Sequence, residues 1–92
     1  MFRKIRRWNE NEFQKRKRVR GLSKAMSIVD AYMCHGLTPR ALDRAYGQAY
    51  TQLKIVYING EITWNELQAA LITLENQYNK LRPKAVEAML YT

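Results

Sequence analysis

Apolar side chains recur at steps of three and four residues in three separate stretches of the chain. These repeats fall on Leu22, Met26, Val29 and Met33; on Leu42, Tyr46, Ala49, Leu53 and Val56; and on Leu67, Leu71, Leu74, Tyr78 and Leu81. Side chains with this spacing lie on one stripe of a helix. The pattern therefore predicts helices over about 22–35, 39–58 and 64–81. Helices with stripes that face one another predict an all-α fold, a small helical bundle of three main helices.

Residues typical of helix ends lie between these stretches. Gly21 or Ser23 marks the start of the first predicted helix, and Gly36 suits a left-handed turn after it. Thr38 is a suitable N-cap for the next helix. Pro39 fits its first position, where a backbone N–H is not needed.

The connection between the second and third predicted helices carries the clearest local signal. Asn59–Gly60 tolerates positive φ and predicts the end of one helix. Thr63 and Glu66 have the spacing of a capping box at the start of the next. Ile62 and Leu67 occupy the positions of a hydrophobic staple. Residues 39–82 are therefore expected to form an antiparallel helical hairpin.

The last ten residues predict a further, short C-terminal helix. Pro83 suits the first turn of a helix because proline lacks the N–H that a helix interior requires. Val86, Met89 and Leu90 are then expected to pack back against the hairpin.

Charge is distributed unevenly along the chain. The 92 residues carry a net charge of +8, but residues 1–20 hold nine basic and two acidic side chains, a net charge of +7. Residues 21–92 hold seven basic and six acidic side chains, a net charge of +1. The chain is thus expected to consist of a basic N-terminal arm or helix, residues 1–20, and a helical bundle domain, residues 21–92.

Such an arm is expected to bind polyanions. Lysine and arginine neutralise nucleic-acid phosphates, and Trp8 could stack on a base. The candidate binding residues are Arg3, Lys4, Arg6, Arg7, Trp8, Lys15, Arg16, Lys17, Arg18 and Arg20. The favoured interpretation is a small accessory or regulatory protein that binds DNA or RNA.

Three alternatives remain for the same charge pattern. The arm could dock on an acidic or nucleic-acid-binding surface of a host protein, as a phage- or plasmid-type inhibitor or adaptor would. It could be a solvated terminus that aids solubility. Membrane binding through Phe2, Ile5 and Trp8 is the weakest alternative, because that apolar strip is short.

A second candidate surface lies in the middle of the second predicted helix. Tyr46, Gly47 and Tyr50 form a candidate protein interface, since tyrosine suits interfaces. Glycine inside a helix costs about 1 kcal/mol relative to alanine, and a closely packed second backbone would compensate. That backbone is expected to be another helix of the same chain or the partner subunit of a homodimer.

The residue pattern does not favour catalysis or metal binding. Cys34 and His35 are unique and adjacent, so on a helix they point about 100° apart. The third predicted helix lacks flanking cations until Lys80 and Arg82, which disfavours a helix-turn-helix reader of DNA. We therefore expect no enzyme, metal or cofactor. A lone cysteine and no bilayer-length apolar run are typical of a cytoplasmic protein.

Overall fold

The structure, a computed structural model, describes residues 20–91. Helix α1 covers residues 20–32, α2 is Pro39–Ile58 and α3 is Trp64–Leu90. Within the described range there are no strands. The predicted all-α fold of three main helices is confirmed.

Contacts at both ends of the hairpin show that α2 and α3 run antiparallel. Asp43, early in α2, contacts Arg82, late in α3. At the other end the rings of Tyr57 and Trp64 meet edge to face, with centroids 5.8 Å apart. The expected antiparallel hairpin is therefore confirmed.

All three helices contribute to one apolar core. Its buried members are Ala25, Val29, Met33, Leu42, Ala49, Leu53, Val56, Ile62, Leu67, Ala70, Leu74 and Leu81. The predicted stripes of α2 and α3 face this core, with Tyr46, Leu71 and Tyr78 half-buried at its margin. Burying apolar surface is the main favourable contribution to folding, so the periodicity of these two helices determines how they pack.

Helix α1 differs from the prediction at both ends. It is already helical at residue 20, and it ends at 32 rather than 35, because Met33 enters the core and the chain then turns through Gly36 at φ +86°. Ala25 and Val29 are its buried apolar side chains, and Met33, just after its end, continues the same stripe. Leu22, predicted to face the core, is 43% exposed.

Gly21 is needed for close packing rather than for a helix start. A Cβ built on this buried residue would lie 2.5–2.8 Å from the carboxylate group of Glu66. That carboxylate is already engaged, because Glu66 Oε1 accepts a 2.7 Å hydrogen bond from the Thr63 N–H. The missing side chain of Gly21 therefore lets α1 lie against the capped first turn of α3.

We expect Gly21→Ala and Glu66→Ala to be non-additive. In the wild-type background, the new methyl group displaces the Glu66 carboxylate. The cost of this displacement offsets the stability gained when alanine replaces glycine in a helix, about 1 kcal/mol. In the Glu66→Ala background the clash is gone, and Gly21→Ala should recover that gain. Urea unfolding of the four proteins measures the coupling free energy. Additive changes would contradict the packing described here.

The connection from α2 to α3 has the geometry that its sequence predicts. The Gly60 N–H donates to the Tyr57 carbonyl and the Glu61 N–H to the Val56 carbonyl, each at 3.0 Å, with Gly60 at φ +78°. This is a Schellman motif, which closes the end of α2. The capping box of Thr63 and Glu66 is also confirmed, and both staple residues, Ile62 and Leu67, are buried.

The predicted separate C-terminal helix is wrong. Pro83 lies inside α3, which continues without a break to Leu90. Pro83 removes one backbone donor, but the residues that follow it are mostly good helix formers, and no turn residue precedes it. The expected packing of this end on the hairpin is wrong for Met89 and Leu90, which are 66% and 78% exposed, whereas Val86 is half-buried.

Candidate nucleic-acid interface

Of the predicted polyanion-binding residues, the structure describes Arg20. It is exposed and helical at the start of α1. The others lie outside the described residues: Arg3, Lys4, Arg6, Arg7, Trp8, Lys15, Arg16, Lys17 and Arg18.

The basic segment joins the bundle at the end where α2 turns into α3. Gly21 packs beneath Glu66 in the first turn of α3. One turn further along α1, Lys24 forms an ion pair with Glu61 in the connection. Both acidic side chains at this end are therefore already engaged by neighbours within the bundle.

Tyr46, Gly47 and Tyr50 do not share one surface. Tyr46 is half-buried, and its ring lies 4.7 Å from that of Tyr78 at an interplanar angle of 47°. Gly47 is exposed. Tyr50 is 36% exposed, and the Lys54 ammonium lies 4.6 Å from its ring centroid. Tyr46 thus belongs to the contact between α2 and α3, whereas Gly47 and Tyr50 face outward.

No helix of the described range packs on Gly47, so the expectation of another helix of this chain at this position is not tested further. A Cβ built at Gly47 meets nothing within 4 Å. Gly47 thus carries the helix-propensity cost of glycine without a compensating contact among residues 20–91. The alternative expectation, a contact with another molecule, stays a prediction.

A stripe of exposed polar and basic residues runs along α2 opposite its core stripe. We call it the α2 outer face, and it consists of Arg40, Arg44, Gly47, Thr51 and Lys54. Its steps of four, three, four and three residues repeat the spacing of the buried stripe. This face was not predicted from the sequence, although the same periodicity applied to basic positions could have revealed it.

The α2 outer face carries three cations and no acid. The one acidic residue of α2 is Asp43, which points toward α3. Beside Arg44 the face borders a groove of about 460 Å³. The groove is lined by Tyr32, Arg44, Gly47, Gln48, Thr51 and Gln52. Guanidinium, amide and hydroxyl groups on one surface can donate hydrogen bonds to an anion.

Asp43, Tyr78 and Arg82 form a polar cluster across the hairpin that was not predicted. Arg82 donates through Nε to Asp43 Oδ1 at 3.0 Å and through Nη2 to Oδ2 at 3.2 Å, and the Tyr78 hydroxyl also donates to Oδ1. The Arg82 hydrogen bond and then that of Tyr78 lower the pKa of Asp43. The Asp43 carboxylate raises the pKa of Tyr78. This cluster joins α2 to α3.

The Asp43 cluster predicts a loss of stability in acid. A carboxyl group whose pKa lies below the ordinary 3.8 in the folded protein stabilises it above the unfolded pKa, and that contribution falls away as the pH drops through the folded pKa. Melting temperatures measured from neutral pH to below about pH 4 should fall more steeply for the wild type than for Asp43→Asn.

Asp30→Asn is the matched control for Asp43→Asn. Asp30 is exposed on α1, and its carboxylate makes no hydrogen bond or ion pair with another described residue. The Asp30→Asn profile should follow that of the wild type. Equal flattening by both substitutions would contradict a specific role for the Asp43 cluster.

Exposed apolar side chains flank the turn between α2 and α3. Ile58, in the last turn of α2, is 79% exposed, and Trp64, in the first turn of α3, is 58% exposed. Ile55 is exposed one turn before Ile58. We call these three residues the tip cluster. Exposed tryptophan and isoleucine suit a contact with a protein.

Cys34 and His35 lie in the turn that follows α1, not on a helix as predicted. Cys34 is exposed and lies, with His35 and Lys84, at a cavity of about 260 Å³. Among residues 20–91, no group of three or more His, Cys, Asp or Glu side chains could hold a metal ion. In the same range, each helix is too short or too polar to cross a bilayer.

Comparisons of the chain with protein-family models, with curated proteins and with solved structures find no match.

Proposed function

We propose that the chain is a small, non-enzymatic protein that binds nucleic acid, with its basic N-terminal segment contacting the phosphate backbone. The observation that carries the proposal is charge segregation. Residues 1–20 have a net charge of +7, whereas the remaining 72 residues have a net charge of +1. A phosphate backbone offers such a segment a dense linear array of negative charge, about one charge per 1.7 Å of duplex axis.

The ion pairs of the bundle support this assignment. Lys24 and Arg82 are bonded to Glu61 and Asp43, so part of the charge in the bundle is neutralised internally. Arg20, at the junction, has no acidic partner in the described part of the chain. The excess positive charge of the chain therefore belongs mainly to residues 1–20 of the sequence, and we propose that an external anion neutralises it.

A salt series tests the proposal. We expect the full chain to bind labelled duplex DNA, single-stranded DNA and RNA with an affinity that falls linearly in a plot of log K against log salt concentration. Each lost phosphate contact should reduce the slope by about 0.9 for duplex and about 0.7 for single strands. Glutamine at Lys15, Arg16, Lys17, Arg18 and Arg20 should weaken binding by at least about a hundredfold at low salt.

The control retains the charge at the same positions. A variant with Arg16→Lys, Arg18→Lys and Arg20→Lys should keep most of the salt slope, since a phosphate contact needs a cation but not a guanidinium group. Circular dichroism checks that both variants keep their helix content. Binding that does not depend on salt, or no binding at low salt, would disprove the proposed function.

The tip cluster favours one second candidate function. Ile55, Ile58 and Trp64 would anchor a protein partner, as a phage- or plasmid-type modulator of a host nucleic-acid-processing enzyme requires. In this case the basic segment would dock on an acidic or nucleic-acid-binding surface of that enzyme.

The two functions are separated by purifying the full chain from a bacterial lysate, treating it with nuclease, and measuring by native mass spectrometry what stays bound. A stoichiometric protein that stays bound to the wild type but not to a Trp64→Ser variant would favour the modulator. Ile72→Ser is the control, because Ile72 is 60% exposed on the same helix, away from the turn. If nucleic acid is the retained partner and nuclease releases it, the first function is favoured.

A further inference from the structure

We propose that the α2 outer face is a second nucleic-acid contact, and that Gly47 is there to let the sugar–phosphate backbone approach the helix closely. This inference rests on the proposed function and extends it. It assigns to the folded bundle a binding surface that is separate from the basic segment.

Gly47 provides the first observation. It lies in the middle of a regular helix, where glycine is a poorer helix former than alanine, and its φ is not positive. The space above it is open, since an added Cβ would meet nothing within 4 Å. Neither backbone conformation nor packing among the described residues explains a glycine here. Close approach of an external backbone would explain it.

Charge provides the second observation. Arg40 and Arg44 lie one turn apart on one side of Gly47, and Lys54 lies two turns beyond it. Together they span about 21 Å along the helix axis. The one acid of α2, Asp43, is bonded to Arg82 and Tyr78 on the flank that faces α3. The outer face is therefore positive along its length, which suits an extended chain of phosphates.

Neighbouring polar groups provide the third observation. Gln48 and Gln52 line the groove beside Arg44, together with the ring of Tyr32. Their amides can donate hydrogen bonds to phosphate or sugar oxygens. The Lys54 ammonium lies 4.6 Å from the centroid of the Tyr50 ring, on the flank of the α2 outer face away from Gln48 and Gln52. Cations, amides and an unobstructed glycine thus lie along one side of α2.

Paired charge substitutions test the inference in the full chain. Arg40→Gln with Arg44→Gln should weaken binding of a labelled DNA duplex by about tenfold or more. It should also reduce the salt slope by about 1.8, the effect of two lost phosphate contacts. The control is Lys80→Gln with Lys84→Gln, which also removes two exposed cations one turn apart, but on α3. This pair should weaken binding by less than about threefold.

Steric substitutions test Gly47 without changing charge. Gly47→Leu should weaken binding by about tenfold while leaving the salt slope unchanged, and Gly47→Ala should have a smaller effect in the same direction. Asn76→Leu, which adds an exposed apolar side chain on α3, should bind as the wild type does. Thermal unfolding checks that the Gly47 variants are at least as stable as the wild type, so that weaker binding cannot be due to loss of fold.

The outcomes separate this inference from the proposed function. If neutralising the basic segment abolishes binding but the two cation pairs behave alike, the proposed function stands and the α2 contact is disproved. If the wild type shows no salt-dependent binding, both fail.

Two other occupants of the α2 outer face would also disprove the inference. If polyglutamate displaces the labelled DNA duplex as effectively as unlabelled DNA of equal charge, the α2 outer face would be assigned to acidic proteins. A wild-type dimer that Gly47→Leu dissociates in the absence of nucleic acid would assign it to a second copy of the chain.

Discussion

Replacing Leu74 by alanine is expected to destabilise the bundle by about 3 kcal/mol, because the substitution removes a fully buried side chain and leaves a cavity. Leu74 is 0% exposed and lies in the core formed by all three helices. A loss of this size is a large fraction of the stability of a small domain. It should lower the melting temperature by at least about 12 °C. Urea unfolding monitored by circular dichroism measures it.

Ile72→Ala is the matched control for Leu74→Ala. Ile72 lies two residues away on the same helix but is 60% exposed, so the free energy of unfolding should change by less than about 0.5 kcal/mol. The pair compares removal of an aliphatic side chain on opposite faces of α3. Similar losses at both positions would contradict the observed orientation of α3.

The hairpin of α2 and α3 could be predicted from sequence because each of its signals is local. The apolar repeat, the Asn59–Gly60 turn and the capping box of Thr63 and Glu66 all involve residues within about one or two helical turns of each other. Each signal favours the same structure, so the predicted bounds of α2 match those observed. The sequence shows less clearly which side of α1 faces the core, because a buried stripe can include Ala25 or Ala31 as readily as Leu22.

Features that depend on distant residues could not be predicted in this way. Gly21 looked like a helix start, but it is buried against Glu66, 45 positions along the chain. Asp43 and Arg82 are 39 residues apart, and their contact follows only once the helices are aligned. Pro83 locally predicts a helix boundary, but it lies inside one continuous helix from Trp64 to Leu90.

Alanine at two glycines is expected to change stability in opposite directions. Gly47→Ala should stabilise the fold by about 1 kcal/mol, because alanine is the better helix former and the added methyl meets no neighbour. Gly60→Ala should destabilise it by about 1–2 kcal/mol, because Gly60 has φ +78° and an L-residue is strained in that region. The two variants should therefore differ by about 2–3 kcal/mol in urea unfolding.

The opposite signs matter for function as well as for folding. Gly60 has a left-handed backbone and closes the Schellman motif at the end of α2, so the fold itself accounts for a glycine at this position. Gly47 has no such structural role among the described residues, and the fold would be more stable without it. If Gly47→Ala instead destabilises the protein, a contact of Gly47 within the chain must explain the glycine, and the case for an external backbone at this position is lost.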